Sequence, residues 1–197
     1  MAELLIVGIP ASLRRGAFST GLLDAAVELA PEGTRIEVAD IHGFPVFNQD
    51  EEHDPPEPVR RFREKVRPAD AVLFALNEHN YGLSAAEKNA LDWGSRPPGQ
   101  SVWNGKPAGM MSASVGMLGG VRAQLALRQS MVYLNMFPVN RPEVFVAMAS
   151  QKFDANGRLT DETARKVVRA HLIELVRFAR LLRPDPDRGG EDRAPGP

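Results

Sequence analysis

Five apolar runs are spaced along the chain: LLIVGI (4–9), RIEVAD (35–40), ADAVLFAL (69–76), KPAGMMSAS (106–114) and PEVFVAM (142–148). Three of them are nearly continuous, whereas a strand with one wet face would alternate apolar and polar residues. Continuous runs predict strands covered on both faces. Helical patterns lie between them. STGLLDAAVELA is ended by Pro31 and Gly33, and PEPVRRFREKVR begins among prolines and stops at Pro68. Ser84 and Glu87 form a capping-box pattern that starts a third helix. A fourth spans roughly residues 118–134 by the same periodicity. The last follows Thr160, with Asp161 and Glu162 where the helix dipole favours acids. Its Ala164, Val167, Val168, Leu172, Leu175, Val176, Ala179 and Leu182 recur at helical spacing.

Strands alternating with helices predict an α/β fold, an open parallel sheet with helices on both faces. At 197 residues the chain suits a five-stranded, flavodoxin-like three-layer sandwich of order 2-1-3-4-5 better than a six-stranded dinucleotide fold. The domain is expected to cover residues 1–183. PDPDRGGEDRAPGP (184–197) has no large apolar residue and is expected to be a disordered tail. FNQDEEHDPPEP (47–58) reads as a polar surface loop.

A net charge of −1 gives no electrostatic case for nucleic acid or an anionic membrane. With no cysteine, the chain has no disulfide, thiolate or Fe–S chemistry of its own, which fits the cytoplasm. MAELLIVGIPASLRRG lacks a basic leader, and its apolar run is too short to span a membrane, so it reads as a first strand.

In a sheet of this order, ligands bind beyond the carboxyl ends of the strands, where the order reverses. The loop after strand 1, PASLRRGAFST, offers Ser12, Arg14, Arg15, Ser19 and Thr20 before a helix N-terminus, a natural phosphate site or a serine-capped turn. It is neither a Walker A loop nor G-x-G-x-x-G. After strand 3, Asn77, Glu78, His79, Asn80, Tyr81 and Gly82 could flank a flat ring or form a polar turn. After strand 4, Ser114, Gly116, Gly119 and Gly120 allow close approach to the backbone, by a ligand or by a packed helix.

Other chemistries fare worse. Ser114 lacks the glycine two residues before it that a nucleophile elbow needs, and the one later histidine, His171, belongs to the last helix. His42, His53, His79 and His171 show no metal-ligand spacing. A phosphate cradle, a polar–aromatic loop and a glycine loop together suit a ligand with a phosphate tail and a flat heteroaromatic head. FMN is the economical candidate, and it would bring the redox chemistry the chain lacks.

The motifs ASLRRGAFS (11–19), PVFNQD (45–50), ADAVLFALNEHNYGLSAAEKNALDW (69–93), GKPAGMMSASVGMLGGVRAQLALRQ (105–129) and NRPEV (140–144) resemble the NAD(P)H-dependent FMN reductases, a family that includes quinone and chromate reductases. The resemblance runs from about residue 4 to 180. It implies bound FMN, NADPH or NADH as hydride donor, a ping-pong cycle with a quinone, azo compound, free flavin or metal oxyanion, and a homodimer or homotetramer. By motif, Ser12, Arg14 and Ser19 would hold the phosphate. Glu78, Asn80, Tyr81 and Gly82 would flank the isoalloxazine, and Ser114, Gly116, Gly119 and Gly120 would line its other edge. His79 is the candidate proton donor, since imidazole changes charge near neutrality. The family usually has glycine at Ala11, serine at Ala17, proline at Asn77 and tyrosine at His79, so weaker FMN binding is expected. The alternative is a non-catalytic, weakly flavin-binding relative acting as a redox sensor or interaction module.

Overall fold

The computed structural model describes residues 3–183. The expected tail lies outside the described residues. Strands β1 (Leu4–Pro10), β2 (Thr34–Val38), β3 (Ala71–Leu76) and β4 (Pro107–Ala113) pair in parallel in the order β2-β1-β3-β4. Side chains of β1 alternate between two cores, with Leu4 and Ile6 on one face and Val7 and Ile9 on the other. Helices α1 (Phe18–Glu28) and α5 (Glu162–Leu182) cover the first face, and α2 (Glu57–Val66), α3 (Ala85–Gly94) and α4 (Val121–Tyr133) cover the second. All of β3 and β4 is buried, which explains their continuous apolar runs.

The sheet departs from expectation at its edge. In place of a single fifth strand over 142–148, two short pieces pair along β4, one inside that run and one upstream of it. β5 (Phe137–Pro138) pairs with the start of β4 and β6 (Val144–Val146) with its end, making six strands. Pro138 and Pro142 have no N–H for the ladder, so pairing lapses between the pieces. His171 of α5 fills the gap. Its Nε2 accepts the N–H of Met110 at 3.0 Å, and its Nδ1 donates to the carbonyl of Pro142 at 2.7 Å.

Helix starts follow the sequence signals. The Asp161 carboxylate caps α5 by accepting the N–H of Ala164 at 2.8 Å, and Ser84 Oγ caps α3 by accepting that of Glu87 at 3.1 Å. The capping box is half formed, however. Both Glu87 carboxyl oxygens are buried without a protein partner, and burial pushes the group well above the ordinary carboxyl value of 4.5. The loop at 45–50 is pinned to α3: Asn89 donates to the Pro45 carbonyl at 2.8 Å and accepts the Phe47 N–H at 2.8 Å.

Candidate active site

The register sets the site. Pro10 lies opposite Ala75, and Leu76 opposite Ser112, so the loops after β1, β3 and β4 leave the sheet along one edge. The loop after β3 is fastened to both neighbours. Ser84 Oγ donates to the Ala11 carbonyl at 2.6 Å on the β1 side. On the β4 side, the Glu78 carboxylate accepts the Arg122 main-chain N–H and its guanidinium, both at 3.0 Å.

The loop after β1 is open at its centre. Arg14 and Arg15 are exposed, and Gly16 turns with φ +64°. Ser12 Oγ accepts the N–H of Arg14, whose guanidinium donates to the Gly16 carbonyl. Ala17 precedes helix α1 as its N-cap and has no capping side chain, and no acid stands in the first turn. The Ser19 hydroxyl in that turn is buried without a partner. Helix α4, by contrast, has its N-terminal turn bonded by Glu78. An uncapped helix start, an orphaned hydroxyl and two nearby guanidinia fit a phosphate group.

Residues 79–82 after β3 form a two-residue turn. His79 and Gly82 exchange both backbone hydrogen bonds, at 3.1 and 2.9 Å, and Asn80 and Tyr81 carry φ values of +50° and +65°. Two successive left-handed residues are the signature of a type I′ turn. His79 and Asn80 are exposed, and Tyr81 is 74% exposed. The Arg122 guanidinium lies over the Tyr81 ring, 3.9 Å from its centroid.

In the loop after β4, Ser114 Oγ accepts the Gly116 N–H at 3.0 Å, and Gly116 is exposed. Gly119 and Gly120 are buried at φ +61° and +88°. A Cβ on Gly119 would meet the Phe145 backbone at 2.9 Å, and one on Gly120 would meet Ser112 Cβ at 2.7 Å. Close helix–sheet packing alone therefore demands glycine at both. Ser112 Oγ, buried, donates to the Gly119 carbonyl at 2.6 Å and accepts from Gln124 at 2.9 Å. Both His171 nitrogens are bonded to backbone, so it is no base for Ser114.

Arg122, Ser112 and the Ala11 carbonyl were not among the candidate site residues read from sequence, where Ser112 and Ala11 figured only as replacements of motif glycines. Glu78 and Arg122 are 44 positions apart, and Ser84 and Ala11 73 apart, so no local pattern marks either link. A cleft of about 490 Å³ lies away from these loops, between α3 and the end of α4, lined by Leu91, Arg96, Ser130 and Tyr133 among others. Among the described residues, no cluster of three or more His, Asp or Glu could hold a metal, and no helix is long and apolar enough to cross a membrane.

Residues 4–151 match the family model of NADPH-dependent FMN reductases. An NAD(P)H-dependent FMN reductase of Pseudomonas aeruginosa is 45% identical over 182 residues, covering 92% of this chain and 98% of the relative. A quinone reductase of Pseudomonas putida is 40% identical over 173 residues, covering 87% and 92%. Among solved structures, the flavoenzyme NAD(P)H:acceptor oxidoreductase FerB of Paracoccus denitrificans superposes with a TM-score of 0.82 at 28% identity, over 90% of this chain and 98% of that one.

Proposed function

The chain belongs to the NADPH-dependent FMN reductase family and is an NAD(P)H-dependent oxidoreductase with FMN as cofactor; on that premise we propose that it delivers electrons to a quinone or a similar flat acceptor by a ping-pong cycle. Azo compounds, free flavin and metal oxyanions are further acceptors of the same proposal. FMN, when bound, would supply hydride exchange between nicotinamide and the acceptor.

The observation that carries this reading is the start of α1, where an uncapped helix terminus and the orphaned Ser19 hydroxyl call for an anion. Ser12, Arg14 and Ser19 bind the phosphate. The turn of Glu78, His79, Asn80, Tyr81 and Gly82 orients one edge of the ring, with the Glu78 carboxylate engaged by Arg122. Ser114 and Gly116 shape the opposite edge, and Gly119 and Gly120, packed on the sheet, hold the start of α4 close behind them. His79, exposed on the turn, serves as the proton donor to the acceptor. Val115, Met117 and Leu118 are exposed in the β4 loop and give a flat apolar acceptor a surface to lie on.

We further assign a homodimer or homotetramer working in the cytoplasm. Leu125, Val132 and Tyr133 of α4 are exposed, Tyr133 at the 490 Å³ cleft, and they offer apolar surface suited to a second copy. The test of function is spectroscopic. FMN-loaded protein under anaerobic conditions is expected to bleach with NADPH or NADH and recolour with benzoquinone. Protein that binds no FMN at micromolar concentration, or stays yellow with either nicotinamide, would overturn the reading.

A further inference from the structure

The Arg122 side chain touches both the base and the tip of the β3 loop. Its guanidinium bonds Glu78 Oε1 at 3.0 Å and stacks on the Tyr81 ring at 3.9 Å. The turn it spans holds two non-glycine residues, Asn80 and Tyr81, in the left-handed region. Such residues are strained and persist only where surrounding contacts over-determine them. The turn's own contribution is one pair of backbone hydrogen bonds, His79 with Gly82. The guanidinium itself rides on the first turn of α4, a helix start set by Gly119 and Gly120 against β4 and β6.

We propose that Arg122 is a positioning residue for the flavin, clamping the 79–82 turn to the start of α4 so that it stands ready-formed before FMN arrives. The clamp needs both properties of arginine, a planar face for Tyr81 and a fork for Glu78, which lysine lacks. It deepens the functional reading and rests on the β3 loop facing the flavin ring. Glu78 also accepts the Arg122 main-chain N–H, a bond every Arg122 variant keeps, so the capping of α4 survives substitution and the side chain is tested alone.

The test titrates apoprotein with FMN by flavin fluorescence and follows amide exchange at His79 and Gly82 without FMN. R122A and Y81L are expected to weaken FMN about tenfold, the loss that accompanies one missing charged contact. R122K is expected to fall between R122A and wild type, and Y81F, which keeps the ring against Arg122, to bind FMN more tightly than Y81L. The double variant R122A/Y81L should bind no more weakly than R122A, because both remove one clamp. Exchange at Gly82 should quicken in R122A while the apoprotein melting temperature holds. Unchanged exchange with unchanged affinity would overturn the clamp and leave the β3 loop's role standing. Quickened exchange with unchanged FMN affinity would overturn both the proposal and the placement of the ring against this loop. Should R122A fold poorly, R122K and Y81L carry the same comparison.

Discussion

Glu87 shows how far a local motif reaches. Ser84 and Glu87 three residues on marked a helix start, and the Ser84 hydroxyl does cap α3. Nothing in that spacing says which way the Glu87 side chain turns, and it turns into the protein, where neither oxygen finds a protein partner. Burial raises its pKa well above 4.5. The folded protein therefore holds a proton that the unfolded chain releases once pH passes 4.5, so this residue's contribution to stability falls as pH rises above that value. Glu87→Leu is expected to raise stability by about 1–3 kcal/mol at neutral pH, since an unsatisfied polar group leaves the interior. Urea titrations from pH 4 to 8 check this: the downward slope with pH due to Glu87 should be absent in the variant. Ser19 follows a different logic. Its hydroxyl is orphaned at the start of α1, and an arriving anion can satisfy it.

At the scale of elements, the helices and the first four strands were legible because periodicity, prolines and capping residues all agree there. The broken edge was not. PEVFVAM reads as one strand, and β5 lies upstream in FP, two residues too few for any periodic signal. What restores the ladder is His171, contributed by α5 61 positions after Met110. Burial lowers its pKa below the ordinary 6.5, and the bond to Pro142 opposes this in part. Neutral imidazole is needed, because Nε2 must accept the Met110 N–H. The sign is opposite to that of Glu87: His171's contribution is full above pH 6.5 and is lost as pH falls from 6.5 toward its folded pKa. His171→Phe is expected to destabilise by about 2–4 kcal/mol, since two buried backbone groups lose their partners. Stability curves of wild type and His171→Phe should converge as pH drops below 6. Parallel curves would place the pH dependence elsewhere.

For the whole molecule, the strand order by itself directs the candidate site to one edge of the sheet. Parallel strands β1, β3 and β4 send their loops to one edge, and residues suited to phosphate and to a ring stand on those loops. What the sequence leaves dark is how the loops hold one another, through Ser84 to Ala11 and Glu78 to Arg122, because such links join residues far apart in the chain. It also could not separate glycines needed for packing from glycines facing a ligand; Gly119 and Gly120 meet the sheet, and Gly116 is open. The central claim is that the start of α1 anchors the phosphate of FMN while the other two loops receive its ring. Titrating apoprotein with FMN and with riboflavin, which lacks the phosphate, tests it most directly. FMN is expected to bind at least about tenfold more tightly, the worth of one charged hydrogen bond or more. Equal affinities for the two flavins would contradict the phosphate site at α1.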